Sequence, residues 1–573
     1  MTANQDWTPS KLAFLASTGY VLAMGGPGSG KTHVALVKAR DEIRSGKLLT
    51  GQRILFLSFA RPTVARILEK AKELISPDEL TLLEVNTYHG FAWNVLRSHG
   101  YLLNEGKRLQ LLPPPEGAAR LAHISKAHHH EEKLRLFREE SLLHFDLFAQ
   151  LAAELLGRSR RVASLYTATY PILVVDEFQD TNADEWAMVR ELGKRSRIIG
   201  LADPDQRIYE FRGADPNRLN EFSQTFKPLS VEFLGENHRS AGTDIAIYGS
   251  DLLTGKNIGT LYADVSVKVY GYYFGKGPHF HVKSQVFQSI KRLKKAPDWS
   301  IALLVPSKVF MLQVSDYLSS ELDGLPSLRH DVAMDAESPA LAAHVIATLL
   351  EGGPPQLLTA LLLGAIHTHI RGRSGNKGPA QAELQLADAI GLYLGSGKIR
   401  GKNRQALVDE CGRLAALRQT AVFSGGPDED WRTVRKMLSS SPVEQLSRVA
   451  TDAKYLRLLH KGSTLRMSLL EIWKTHGSYV GALAAVRNAL IQEHFTAATK
   501  DWRGVHLMTI HKAKGKEFDE VVIYEGRFSG RIVPDDADEA RRGQARLALR
   551  VAVTRAMKRT TILTPSSNRC VFI

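Results

Sequence analysis

The chain is poor in cysteine: Cys411 and Cys570 are the only two among 573 residues. Two cysteines exclude a disulfide framework, a cysteine-rich zinc module and a four-cysteine iron–sulfur site. The stretch from Met1 to Trp7 lacks the basic-then-apolar pattern of a secretory signal. No uninterrupted apolar run reaches the roughly 18 residues that a membrane-spanning helix requires. These absences predict a soluble, intracellular, cytoplasmic protein with no membrane partner. Acidic residues are outnumbered, 60 against 75 Lys and Arg, for a formal charge of +15 and a pI near 9.5. That balance favours a polyanionic partner. Hydrophobic content of 44% is ordinary for a globular chain, and the length points to about three to four domains.

Glycine is concentrated where it carries most information. Gly25-Gly26-Pro27-Gly28-Ser29-Gly30-Lys31-Thr32 fits G-x-x-x-x-G-K-[ST]. The apolar run Tyr20–Met24 before it predicts a buried strand, and His33–Ala39 after it predicts the first turns of a helix. A strand, a glycine-rich turn and a helix start let backbone N–H groups cradle phosphates. Lys31 then places its charge on the β- and γ-phosphates, and Thr32 ligates Mg²⁺. A dinucleotide loop would instead want an acidic residue about 20 positions on, at a strand end. Arg53–Ser58 has none.

A phosphate loop needs acidic residues on a second strand. Pro171-Ile172-Leu173-Val174-Val175 predicts a fully buried parallel strand with Asp176 and Glu177 at its carboxyl end. Asp176 can hold Mg²⁺ and Glu177 can polarise an attacking water. A third strand, Arg197–Ala202, is followed by Gln206, within reach of a terminal phosphate, and by Arg207, Tyr209, Phe211 and Arg212. Aromatic and basic residues in alternation suit base stacking and phosphate contact, or equally a half-buried strand with a polar face.

These segments, in this order, resemble the motifs of superfamily 1A DNA helicases of the UvrD/Rep/PcrA type. Gly25–Thr32, Ile54–Ala60, Thr87–Gly90, Asp176–Asp180 and Asp205–Ala214 are similar to its first five motifs, and Glu236–Ser240, Val505–Phe518 and Ala552–Ala556 to its last three. The resemblance implies an α/β fold: two RecA-like P-loop motor domains with parallel sheets, each carrying a mainly helical insertion, 1B and 2B. It implies ATP and Mg²⁺ as cofactors. Arg239 and Arg555 would come from the second motor domain to the γ-phosphate, as arginine fingers do. His238 would lie under the base and Glu517 on the ribose. Phe59, Thr87, His89, Tyr209, Phe211, Arg212 and His511 would meet single-stranded DNA.

The implied domains are 1–100 and 166–228 for the first motor domain, with 101–165 as insertion 1B. The second takes 229–335 and 497–573, with 336–496 as insertion 2B. The chain departs from the family at several positions. Lys11 stands where an adenine-reading glutamine is expected, His238 where tyrosine is usual, Arg61-Pro62 in place of Asn-Lys, and Arg550 in place of a common tyrosine. All four are expected to lie away from the hydrolytic core. His123, His128, His129 and His130 read as a solvated helix face rather than a metal site. Arg158, Arg160 and Arg161 read equally as backbone-phosphate contacts or as a solvated turn. Arg371–Lys377 and Gly395–Arg400 read as exposed loops, duplex contacts or solvated linkers.

The chain ends 18 residues after Arg555, which leaves no expected accessory domain or fused nuclease. The implied function is an ATP-dependent 3′–5′ DNA helicase or translocase acting in repair, replication or defence. The alternative is a DNA-sensing ATPase subunit that regulates a partner nuclease, as in helicase-like proteins of the Gabija anti-phage type. The implied partners are single-stranded DNA, junctions with duplex, and a partner nuclease or repair protein.

Overall fold

The computed structural model describes residues 7–26, 28–121, 124–203, 215, 217–233, 242–271, 275–295, 298–332, 337–373, 379–453, 464–495, 503–527, 529–534 and 537–573. The chain divides into two compact units. One is Met1–Leu103, Ala149–Met334 and Ala497–Ile573; the other is Asn104–Phe148 and Asp335–Thr496.

The strands, numbered along the chain, begin with β1 (Val21–Gly25), β2 (Ile54–Ser58) and β3 (Leu83–Thr87). The short β4 (Gln110–Leu111) and β5 (Leu142–Leu143) pair with each other in the second unit. Then follow β6 (Ile172–Val175), β7 (Arg197–Ala202) and β8 (Leu229–Phe233). In the first unit one sheet runs β3-β2-β6-β7-β1-β8, parallel throughout. Parallel strands need crossovers that cover the sheet faces, so the central strands are apolar without alternation. All of β6, Ile-Leu-Val-Val, is buried. The order sets β6, β7 and β1 side by side, with Met24 in register with Ala202 and Val174 with Ile199. The segments leaving these three strands at their carboxyl ends are therefore neighbours, at the edge where open α/β sheets bind ligands.

The same unit holds a second parallel sheet of β9 (Val265–Tyr270), β10 (Ser300–Val305), β11 (Asp331–Val332), β12 (Gly504–Thr509), β13 (Phe518–Tyr524) and β14 (Ala556–Pro565). Its order is β11-β12-β10-β13-β14-β9. β10 lies in its middle, with every residue buried. Two boundaries differ from the sequence expectation. Leu229–Phe233, placed by sequence in the second motor domain, hydrogen-bonds to β1 and closes the first sheet. Residues 149–165, placed by sequence in insertion 1B, belong with the first unit. Their last helix runs into β6, Tyr166 and Tyr170 set their rings edge-on to Phe91, and Tyr170 donates to Glu84 at 2.6 Å.

The second unit is helical apart from the β4–β5 pair among its described residues. Its core is built from helices Glu337–Glu351, Pro355–Arg371, Lys402–Thr420, Pro427–Ser439 and Ala482–Phe495, through residues such as Ile346, Leu362, Leu414, Trp431 and Val486. The short helix Pro114–Leu121 packs on the first two of these. Helix Pro427–Ser439 shows the local logic: Asp428, Glu429 and Asp430 sit in its first turn, where the helix dipole favours negative charge. The Asp430 carboxylate also accepts from Ser424 N, Gly425 N and Tyr479 Oη.

Candidate active site

β1 ends in a turn that only glycine suits. Gly28 (φ 77°) and Gly30 (φ 85°) are left-handed, and Gly30 caps helix Lys31–Arg44. A Cβ on Gly25 would stand 2.7 Å from Ser29 Oγ and 3.1 Å from the Phe233 carbonyl oxygen. The chain is thus curled into a cradle that side chains would fill. Lys31 Nζ donates to the Gly25 carbonyl at 2.6 Å and the Gly26 carbonyl at 3.1 Å. Its charge is held over the turn.

Two strands away, Asp176 follows β6. Its amide donates to Leu57 O at 2.8 Å, and Ser58 Oγ lies 3.4 Å from its carboxylate. Glu177 is left-handed (φ 53°, ψ 38°), a conformation that costs a non-glycine residue about 1–2 kcal/mol. The bend turns its carboxylate to Gln179, whose Nε2 donates at 2.6 Å. The other end of Gln179 accepts from Asp203 N at 3.0 Å, just past β7. One amide side chain therefore ties the ends of β6 and β7 together.

The two adjacent carboxyls are driven apart electrostatically. Burial, reinforced by Glu177, pushes Asp176 up to about 7 against the pull of Lys31. Burial also acts to raise Glu177, but Lys514, Lys31, Gln179 and Arg555 outweigh it and hold the group down to about 2. Glu177 is thereby kept ionised.

The cations come partly from the second sheet. Lys514, past β12, is ion-paired with Asp180 and lies 3.5 Å from Glu177. Gly515 (φ 75°) lets this segment approach helix Arg61–Leu74, where a Cβ would collide with Thr63. Glu517, the expected ribose ligand, pairs with Arg66 of that helix at 2.5 Å. Arg555 is buried, with Nε on the Val551 carbonyl at 2.9 Å.

The remaining expected residues are dispersed. Phe59 follows β2, and His511 is exposed on the turn after β12. Thr87 caps helix Tyr88–His99, its hydroxyl accepting from Gly90 N at 2.9 Å. His89 Nδ1 lies 3.4 Å from Glu185. Pro27, His123, Gln206, Tyr209, Phe211, Arg212, His238 and Arg239 lie outside the described residues. Lys11 is buried, its ammonium 5.8 Å from the Phe233 ring and 5.9 Å from that of Trp7. His128 and His129 open helix His129–Glu140 and bond Ser125 and the Ile124 carbonyl. Among the described residues no cluster of three His, Cys, Asp or Glu could hold a metal, and no helix is long and apolar enough to cross a membrane.

Two expectations are corrected. Arg371 and Arg373 do not belong to an exposed basic loop: Arg371 ends a helix, buried and paired with Asp388, and Arg373 pairs with Glu383 at 2.5 Å. Their charge is neutralised within the second unit. Arg550, expected away from the hydrolytic core, is buried at 3.7 Å from Asp203 and faces the Gly26 turn. Sequence reading also passed over Lys514, Gln179, Asp203 and Arg66 as functional groups. Lys514 and Gln179 lay inside recognised motifs, whereas no local signal marks Arg66.

Comparison with known proteins agrees with this geometry. Residues 7–140 and 123–227 match the UvrD/REP helicase N-terminal domain, and 436–567 match the UvrD-like helicase C-terminal domain. The chain belongs to the UvrD/Rep helicase family. This UvrD-like chain is 26% identical to ATP-dependent DNA helicase Rep of Escherichia coli (strain K12), over 39% of itself and 40% of Rep. It thus spans about two fifths of that relative's length. With a probable DNA helicase II homolog of Rickettsia felis it is 22% identical over 100% of itself and 95% of the relative. With the putative ATP-dependent DNA helicase YjcD of Bacillus subtilis it is 21% identical over 97% and 78%.

The residues present fit the cofactors that the family implies. The glycine cradle and Lys31 suit a polyphosphate. Thr32 and Asp176 offer oxygen donors only, the set that Mg²⁺ takes when phosphates and water complete its shell.

Proposed function

We propose that this UvrD-like chain is an ATP-driven motor that moves 3′ to 5′ along single-stranded DNA and separates duplexes ahead of it. The observation that carries this reading is the placement of Asp176 and Glu177 beside the Lys31 turn, with Lys514 of the second sheet on their cluster. ATP, when bound, supplies the phosphoanhydride whose cleavage releases energy. Lys31 binds and orients the phosphates, and Thr32 and Asp176 would hold Mg²⁺. Glu177, kept ionised, orients the attacking water and takes its proton. Arg239 and Arg555 are proposed to stabilise charge developing in phosphoryl transfer. Because Lys514 and Arg555 reach the cluster from the second sheet, hydrolysis there would be coupled to the spacing of the two sheets. Phe59, His511, Tyr209 and Phe211 are proposed stacking platforms, sequence-blind as translocation requires.

The test is strand separation on 3′-tailed and 5′-tailed duplexes, with hydrolysis measured in the presence and absence of single-stranded DNA. Separation dependent on a 3′ tail supports the proposal, and dependence on a 5′ tail overturns the polarity. DNA-stimulated hydrolysis without separation would support instead the reading as a DNA-sensing ATPase that regulates a partner nuclease.

A further inference from the structure

Arg550 lies on helix Glu539–Val553, attached to the second sheet, yet its guanidinium is beside residues of the first. Nη1 is 3.7 Å from Asp203 Oδ1, both side chains being nearly fully buried. Nη2 is 4.0 Å from where a Cβ of Gly26 would stand. Gly249, on helix Ile245–Thr254, lets that helix pack closely on this one: a Cβ there would stand 2.9 Å from Thr554 Cγ2 and in ordinary contact, at 3.7 Å, with Arg550 Cγ. The guanidinium is thus delivered between the phosphate-cradling turn and Asp203.

The side of the turn it occupies can be read from the bonded chain of groups around it. Asp203 N is held by Gln179, and Gln179 holds Glu177. On the proposed function Glu177 orients the water that attacks the terminal phosphorus, which puts a group beside Asp203 toward that end of the polyphosphate. At 3.7 Å the carboxylate is near enough to balance the buried charge but too far for a fork-like pair of short hydrogen bonds. A guanidinium so placed can exchange part of its interaction with Asp203 for a phosphate oxygen.

We propose that Arg550 is a terminal-phosphate-reading residue, a cation from the second sheet that distinguishes a nucleoside triphosphate from a diphosphate. The inference rests on the proposal that Gly25–Thr32 binds nucleotide. It adds to that proposal a site residue and a binding preference. Asp203 is a partner that helps hold Arg550 in place when the terminal phosphate has left.

Equilibrium binding to the full chain tests this, with a fluorescent β,γ-imido triphosphate analogue and fluorescent ADP, each with Mg²⁺. Arg550→Gln should weaken the triphosphate analogue by roughly tenfold or more, the order that a charge-assisted hydrogen bond confers, and leave ADP unchanged. Arg550→Lys, which keeps the charge but not the fork, should fall between. If Arg550→Gln leaves the ratio of the two affinities unchanged, by sparing both or weakening both alike, Arg550 is only a structural partner of Asp203. Lys31→Ala separates this failure from that of the nucleotide site itself. It should lose both ligands, and undiminished binding of both would overturn the site. Should Arg550→Gln fail to fold, Asp203→Asn decides: a retained or greater triphosphate preference supports the assignment, and a smaller one overturns it.

Discussion

Lys514 is ion-paired with Asp180 across the two sheets of the first unit, with 4% of one side chain exposed and none of the other. Burial raises Asp180 to about 7 even with Lys514 acting against it, which measures how costly an uncompensated charge would be there. Lys514→Ala removes the compensation and leaves the carboxyl buried. We expect a loss of about 3–5 kcal/mol in urea unfolding. Lys514→Met combined with Asp180→Asn should recover most of it, because two neutral groups need no pairing. Equal losses for the single and double variants would show that the pair itself is not what matters.

Glu177 is held ionised by Lys514, Lys31, Gln179 and Arg555. Glu177→Gln keeps the shape and removes the base. Steady-state hydrolysis should fall by about 10²–10⁴-fold while nucleotide affinity is kept. Near-normal turnover in this variant would remove Glu177 from the chemistry.

Thr87 has a structural duty whatever else it touches. Its hydroxyl caps helix Tyr88–His99 through Gly90 N. Thr87→Ala should lower stability by about 1 kcal/mol in thermal or denaturant unfolding, and Thr87→Ser should restore it. A Thr87→Ala chain as stable as the parent would contradict the cap.

His144 and His279 are each pushed down to about 4 by burial. His144 is faced by Asp146, Lys133 and His129, and His279 donates to or accepts from Tyr524 Oη at 3.0 Å. An unfolded histidine takes its proton near pH 6.5, about 2.5 units before these two do in the folded state. Between pH 6.5 and 4 the unfolded chain therefore binds more protons, and stability falls as pH falls. Each histidine accounts for a loss on the order of 3 kcal/mol by the time pH reaches 4. NMR titration should find both imidazoles neutral at pH 5.5, and a midpoint near 6.5 for either would refute the burial argument for that residue.

The family motifs were legible because their chemistry is local. A glycine turn needs glycine at φ values other residues avoid, and a phosphate-binding lysine must open the helix that follows. A buried parallel strand must be apolar along its whole length, so Ile172–Val175 announces itself, as does the carboxylate at its end. The helical character of 336–496 was legible for a similar reason. By itself, then, the amino-acid sequence determined a glycine-rich turn at Gly25–Thr32 and a carboxylate pair at the end of a buried strand, and the family resemblance implied two parallel sheets to carry them.

Tertiary structure alone decided which charges meet. Lys514 and Asp180 are 334 residues apart, and nothing near either names the other. The position of Arg550 was read as an incidental departure until the sheet order set β7 beside β1 and brought Asp203 and Gly26 to one edge. Arg371 and Arg373 passed for solvated charge until Asp388 and Glu383 were found against them. The same holds for β8, which joined the first sheet because its backbone pairs with β1. Strand order and ion pairing across sheets are long-range outcomes of burial, in which each charge finds whichever partner the packing leaves beside it.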